Sequence, residues 1–216
     1  MEPSASADLS RTWALVPIRG LETAKTRLGG NLDAEERRDL VVDMLRQTLV
    51  ATRDARRIAG TIVVTMDPDA AGIARDHRAV GLVERAPGLN GAISAARSVA
   101  VARGASAVVV LPADLPGISA PVVDALIQAA ANGIAQPAGG LVALVTDQHG
   151  RGTNALLISP PGLIDPQFGP GSRVLHRVAA TAAGATFREL DGPLALDVDT
   201  PDDLVVAKAA LGAIHG

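Results

Sequence analysis

The 216-residue chain contains no cysteine. That absence removes disulfides, thiolate nucleophiles and zinc–thiolate sites together. Aromatic residues are limited to Trp13, Phe168 and Phe187, too few for a platform on which bases could stack. A basic footprint is missing as well: the net charge is −3 and the pI is near 5.8. No nucleic-acid partner is therefore expected. Although 48% of the residues are apolar, they fall in short runs of Ala, Val and Leu. The longest, near 105–111, falls far short of the roughly 20 residues that cross a bilayer, so no membrane association is expected. The stretch from Met1 to Asp8 has neither a basic n-region nor an apolar h-region, and the cytoplasm is the expected location. There is no G-x-x-x-x-G-K-[ST] phosphate loop, no G-x-G-x-x-G fingerprint and no G-x-S-x-G elbow. The four histidines show no H-x-x-x-H spacing and read as surface or helix-packing residues.

What is present is an alternation of apolar runs with helical stretches. Strands are expected at 14–18, 62–65, 81–84, 107–111, 141–145, 155–158, 186–190 and 194–197. Helices are expected at about 33–53, 69–76, 90–103, 120–131, 172–183 and 200–211. The first opens on Asp33-Ala34-Glu35-Glu36, a box-like cap. Leu40, Val41, Met44, Leu45, Thr48 and Leu49 then recur at helical spacing as one buried stripe. The last opens on Thr200-Pro201, a cap followed by proline at the first helical position. Strands first alternate with helices and then cluster at 141–158, so the fold class is α/β with an added antiparallel part. The reading is a single domain from 13 to 216, after a flexible tail at 1–12, with a mixed, mostly parallel sheet flanked by helices.

Ligands of open α/β sheets bind beyond the carboxyl ends of the strands. Four polar motifs fall there. The loop after the first strand carries Lys25 and Arg27, which read either as a triphosphate grip or as a solvated basic loop. Leu111-Pro112-Ala113-Asp114-Leu115-Pro116 places an aspartate after the Val-rich strand, either as a Mg²⁺ ligand or as a turn former. Asp197 and Asp199 stand two apart, so in extended chain they point the same way. Two such carboxylates repel unless a cation lies between them, and oxygen-only ligation suits Mg²⁺, although Asp199 could simply start the next helix. The glycine-rich segments around Thr153 and around Gly169 and Ser172 offer a small anion site, or a turn with a serine cap. Asn90 reads as a helix cap or as a contact to base or ribose.

In this order the motifs resemble the CofC/FbiD family of guanylyltransferases of coenzyme F-420 biosynthesis. The resemblance rests on Val16-Pro17-Ile18 with Ala24-Lys25-Thr26-Arg27-Leu28, on Gly88-Leu89-Asn90, and on Leu111-Pro112-Ala113-Asp114-Leu115-Pro116. It continues through Gly152-Thr153-Asn154-Ala155-Leu156, Phe168-Gly169-Pro170-Gly171-Ser172 with His176, and Asp197-Val198-Asp199-Thr200-Pro201. It runs from Trp13 to Ala207, with departures at Arg19, where lysine is expected, and at Arg173, where the family often has an apolar residue. The resemblance implies a glycosyltransferase-A-like nucleotidyltransferase fold and transfer of GMP from GTP to a phosphorylated three-carbon acid. That acid is phosphoenolpyruvate, 2-phospho-L-lactate or 3-phosphoglycerate, and the GC-rich style of the composition favours phosphoenolpyruvate. It further implies that Thr153, Gly169 and Ser172 bind the acceptor and that Asp114, Asp197 and Asp199 hold Mg²⁺. Pro17, Lys25, Arg27 and Asn90 would then line the nucleotide, with Lys25 and Arg27 stabilising the departing pyrophosphate. A homo-oligomer stays open. The rival readings are a sugar-nucleotide or molybdopterin nucleotidyltransferase, whose glycine-rich first loop is missing here, and a non-catalytic nucleotide-binding module.

Overall fold

The computed structural model describes residues 7–22, 25, 32–85, 88–132, 139–198 and 203. Their elements run β1 (Thr12–Pro17), α1 (Ala34–Asp54), β2 (Ile58–Thr65), α2 (Pro68–Asp76), β3 (Val80–Val83), α3 (Gly88–Ala102) and β4 (Ala107–Val110). There follow α4 (Ala120–Ala131), β5 (Leu141–Val145), β6 (Ala155–Ser159), α5 (Ser172–Ala182), β7 (Thr186–Glu189) and a 3₁₀ turn at Pro193–Ala195. The seven strands form one sheet in the order β3-β2-β1-β4-β6-β5-β7. Every pairing is parallel except the two made by β6, which is antiparallel to β4 and β5. The mostly parallel sheet with one antiparallel insertion is the architecture expected.

Strands covered on both faces need apolar residues at every position, and β1, β4, β5 and β6 are buried throughout. Alternate side chains then feed two cores. Ala14, Val109, Leu111 and Ala143 pack with Ile127 and Ala51 on the face covered by α4 and α1, and Val16 and Val63 meet Leu45 and Ala70 beside them. Leu15, Val108, Val110 and Val142 pack on the other face against Ile93 and Ala96 of α3 and Ala180 of α5. The layers are therefore helix, sheet, helix. Among the described residues no helix is long and apolar enough to cross a membrane.

Local chemistry explains most boundaries. Asp33 caps α1, accepting from the Glu36 N–H while Glu36 Oε2 accepts from the Asp33 N–H, both at 2.9 Å. The second helix starts earlier than its apolar pattern suggests, because Asp67 is its cap and Pro68 needs no hydrogen bond at the first position. Asn90 is not a cap: α3 begins at Gly88 and Asn90 lies inside its first turn. Ser172 is not one either, since Gly171, in the left-handed region at φ 74°, takes that place. The strand expected at 194–197 is replaced by the 3₁₀ turn. Pro193 has no N–H to pair, and the Leu194 and Ala195 carbonyls accept from the Asn154 amide instead of from a neighbouring strand. Of the expected tail, Asp8 exchanges bonds with the Ser159 hydroxyl, and Thr12 already belongs to β1. Of the helix expected at 200–211, only Asp203 is among the described residues.

Asp67 does more than cap α2. Its Oδ1 accepts from the Asp69 N–H at 2.9 Å, and its Oδ2 accepts from the Leu21 N–H at 2.9 Å in the loop after β1. Burial alone would raise this carboxyl, but the N–H bonds from Leu21, Asp69 and Ala70 outweigh it and hold the group below its usual range. Asp67→Ala should cost about 1–2 kcal/mol, the range for a lost cap with an added tie. Asp67→Asn, which keeps a carbonyl oxygen at the cap, should cost less, and urea unfolding of the two variants checks the order.

Candidate active site

Because β1, β4, β5 and β7 run in one direction, their carboxyl ends lie along one edge of the sheet, and antiparallel β6 begins at that edge. The register shows it: Leu15 pairs with Val110, Val110 with Leu156, Val145 with Ala155, and Leu144 with Glu189. The loops after β1, β4 and β7 therefore meet the loop before β6. These four segments carry Lys25, Asp114, Asp197 and Thr153.

The carboxylate half is held by backbone and amide bonds. Lys25, itself in the left-handed region at φ 58°, places Nζ 2.6 Å from Asp114 Oδ2. Its side chain is only 9% exposed and that of Asp114 29%, so the pair lies in a partly desolvated cleft and not in open water. The Asp114 carbonyl accepts from the Val198 N–H at 3.1 Å, which draws the segment after the 3₁₀ turn against the loop after β4. Asn154 Nδ2 reaches Asp197 Oδ1 at 3.2 Å besides the Leu194 and Ala195 carbonyls, and so fixes that carboxylate. Two carboxylates, with amide and ammonium partners but no nitrogen or sulfur ligand, form a donor set that fits a hard divalent cation. Asp199, read from the sequence as the third ligand, and Arg27 lie outside the described residues, among which no cluster of three or more acid or histidine groups occurs.

The other half is a buried hydroxyl pair. The Ser172 hydroxyl meets Thr153 Oγ1 at 3.1 Å, and Thr153 Oγ1 meets His176 Nδ1 at 3.1 Å. His176 Nε2 accepts from the Gln167 N–H at 2.9 Å. Gly169 sits at φ 129°, which a side chain would strain, and a Cβ built there meets nothing within 4 Å. Its α-carbon thus faces open space beside the hydroxyls, where a bound group could approach the backbone. Asn90 is used on this side too: its Nδ2 donates to the Phe168 carbonyl at 3.0 Å and its Oδ1 accepts from the Phe168 N–H at 2.8 Å. The α3 terminus thereby clasps the segment leading to Gly169. Pro17 is buried at the end of β1, the strand that leads into the segment with Lys25.

Sequence reasoning missed three residues that build these halves. Asp147 accepts from the Arg151 N–H at 2.8 Å, and a Cβ on Gly152 would stand 2.5 Å from its Oδ2. Its burial opposes ionisation, yet the N–H groups of Arg151 and Gly152 hold the carboxyl below its usual range, so the loop delivering Thr153 is folded around an anion. Asp147-Gln148-His149-Gly150, an aspartate three residues before a glycine, was a readable turn signal. Asn154 and His176 stand in the motifs that carry the family resemblance, but their residue types and spacing gave no role for either. Arg173, the departure from the family pattern, bonds to an acid and a backbone carbonyl nearby. Its guanidinium pairs with Glu189 at 2.8 Å and donates to the Gly150 carbonyl at 3.0 Å, stapling the same loop.

His176 has no exposed surface, and its burial pushes the imidazole down to about 4 from 6.5. Below pH 6.5 the unfolded chain binds a proton that the folded ring refuses. Its stabilising contribution is therefore complete above that pH and is lost as pH falls toward the folded value. The stability advantage of the wild type over His176→Asn should narrow by about 2–3 kcal/mol between pH 7.5 and pH 4.5. Urea unfolding at the two pH values measures it, and an unchanged gap would contradict a neutral buried ring.

The chain is similar to known proteins over nearly its whole length. The family described as "Guanylyl transferase CofC like" matches residues 12–208. A phosphoenolpyruvate guanylyltransferase of Sphaerobacter thermophilus is 40% identical over 205 residues, covering 94% of this chain and 96% of its own. One of Rubrobacter xylanophilus is 39% identical over 203 residues, 93% of this chain and 95% of its own. Among solved structures, a putative nucleotide-diphospho-sugar transferase of Desulfovibrio desulfuricans superimposes with TM-score 0.71 at 17% identity, over 91% of this chain and 86% of that one. A nucleotidyl transferase from Methanothermobacter gives 0.62 at 16% identity, over 94% and 99%. These structures share the glycosyltransferase-A-like nucleotidyltransferase fold expected from the sequence. With the family model spanning nearly the whole chain and relatives near 40% identity over more than nine-tenths of it, the chain belongs to the CofC-like guanylyl transferases.

Proposed function

We propose that the protein transfers GMP from GTP to phosphoenolpyruvate, releasing pyrophosphate and forming enolpyruvoyl-2-diphospho-5'-guanosine. The observation that carries this reading is the adjacency of Thr153 and Asn154. Thr153 belongs to the buried hydroxyl pair and Asn154 holds Asp197, so the proposed anion and cation sites would share one stretch of backbone. The names of the relatives supply the acceptor and the nucleotide.

The nucleophile is a phosphate oxygen of the acceptor, already ionised near neutral pH, so no general base is needed. A new bond forms between that oxygen and the α-phosphorus of GTP, the α–β bridging bond breaks, and its electron pair leaves with pyrophosphate. Bound at Asp114, Asp197 and Asp199, Mg²⁺ would screen the two anions from each other and polarise the α-phosphate. Thr153, Ser172 and the backbone at Gly169 receive the acceptor, aided by the N-terminal dipole of α5. Lys25 and Arg27 would stabilise the departing pyrophosphate and Pro17 would shape the nucleotide side, whereas the Asn90 amide, taken by the Phe168 backbone, would act through the segment that leads to Gly169.

The test is incubation with GTP and Mg²⁺ and, separately, phosphoenolpyruvate, 2-phospho-L-lactate and 3-phosphoglycerate, with products read by mass. The GMP adduct of phosphoenolpyruvate should dominate. A dominant phospholactate adduct would overturn the acceptor, and absence of pyrophosphate in all three would overturn the transferase reading. Asp197→Asn should lower kcat by more than about a hundredfold with the fold intact, since a charged ligand of the cation is lost. Ser172→Ala should raise the acceptor KM roughly ten- to hundredfold and leave the GTP KM alone. Lys25→Ala should do the reverse, and an exchange of the two patterns would reverse the placement of the substrates.

A further inference from the structure

The hydroxyl pair and His176 form a chain whose proton count decides whether the site can donate to an anion. The Gln167 N–H is a donor only, and its 2.9 Å bond to His176 Nε2 requires a lone pair there. A neutral ring then carries its proton on Nδ1, which faces Thr153 Oγ1 at 3.1 Å and donates to it. Thr153 and Ser172 bring two hydroxyl protons. One lies in the 3.1 Å bond between them, and the other finds no acceptor among the described residues. With the opposite tautomer, Nδ1 would accept instead. Thr153 would give its proton to the ring, Ser172 would give its own to Thr153, and no hydroxyl donor would be left for a ligand.

We infer that His176 is a positioning residue for the acceptor: by fixing the ring tautomer between the Gln167 N–H and Thr153, it keeps one hydroxyl proton of the Thr153–Ser172 pair directed at the bound acid. The surroundings support a fixed ring. His176 is wholly buried, Thr153 is 7% exposed and Ser172 1%. Phe168 meets the imidazole edge-on with centroids 5.2 Å apart, and the Asn90 amide clasps Phe168 in turn. The ring touches neither substrate nor cation in this scheme. It acts through Thr153. The inference rests on the acceptor placement proposed above.

Two amides divide the functions of the ring. Asparagine at 176 places its amide near the Nδ1 position and can still donate to Thr153, whereas glutamine reaches the Nε2 position and serves Gln167 only. His176→Gln should raise the acceptor KM about tenfold, with the GTP KM unchanged and kcat little affected, as for one lost hydrogen bond. His176→Asn should stay within about threefold of wild type, although it too loses the buried ring. A packing role predicts instead that both variants shift both KM values alike, in step with their loss of Tm, and that result would overturn the inference. Thr153→Val separates the two layers. If it leaves the acceptor KM unchanged, the acceptor site is misplaced and the role of His176 falls with it. If it raises that KM while the Asn and Gln variants behave alike, the site stands and His176 loses its role. In the wild type at pH 7, nitrogen-15 NMR should find the His176 ring protonated at Nδ1 alone, and an Nε2–H tautomer or an imidazolium would also overturn the inference.

Discussion

The antiparallel pairing of β4 with β6 is the constraint on which the site depends. In a wholly parallel sheet, the residues before a strand lie at the opposite edge from the residues after its neighbour. Reversing β6 brings Thr153 and Asn154, which precede it, beside Asp114, which follows β4. The interior position of β6 in the strand order then sets those residues between the loop after β4 and the segment after β7. The pairing is maintained by continuous burial: Val108, Val109 and Val110 face Ile158, Leu157 and Leu156 with no exposed member. A register slip of one residue would exchange the faces on which Thr153 and Asn154 project.

Those two faces carry different electrostatic environments. On the Asn154 side, charged groups and backbone dipoles converge at the edge of a partly exposed cleft, where Asp114 retains contact with water. On the Thr153 side, neutral hydroxyls and a neutral imidazole are almost wholly buried, with Thr153 keeping a small exposed surface. The division suits a reaction between two anions. Charge neutralisation belongs where ions exchange with water, and hydrogen-bond orientation belongs where the low dielectric strengthens each bond. The loop folded around Asp147 and the staple from Arg173 to Glu189 and Gly150 keep the buried side in place.

Much of the fold was legible because buried parallel strands and capped amphipathic helices leave local signatures. The run at β4, the Asp33-x-x-Glu36 box and the stripe of α1 are of that kind. The segment at 194–197 misled for a definable reason. Its apolar residues resemble a strand, but Leu194 is a single anchor and the adjacent carbonyls are taken by an amide forty residues earlier, which no local pattern reveals. The glycines before α5 and the serine that opens it have roles other than the local cap reading: Gly171 caps the helix and leaves the Ser172 hydroxyl to Thr153. His176 looked like one more helix-packing histidine because its meaning lies in two partners from other segments, Gln167 and Thr153.

The central proposal is that the acceptor lies between the hydroxyl pair and the carboxylates at the edge where β6 begins. A crystal structure with phosphoenolpyruvate and Mg²⁺ tests it most directly. The proposal predicts an oxygen of the acid within hydrogen-bond distance of the Thr153–Ser172 pair and an ion ligated by Asp114 and Asp197. Density for the acid at any place remote from both Thr153 and Gly169 would contradict it.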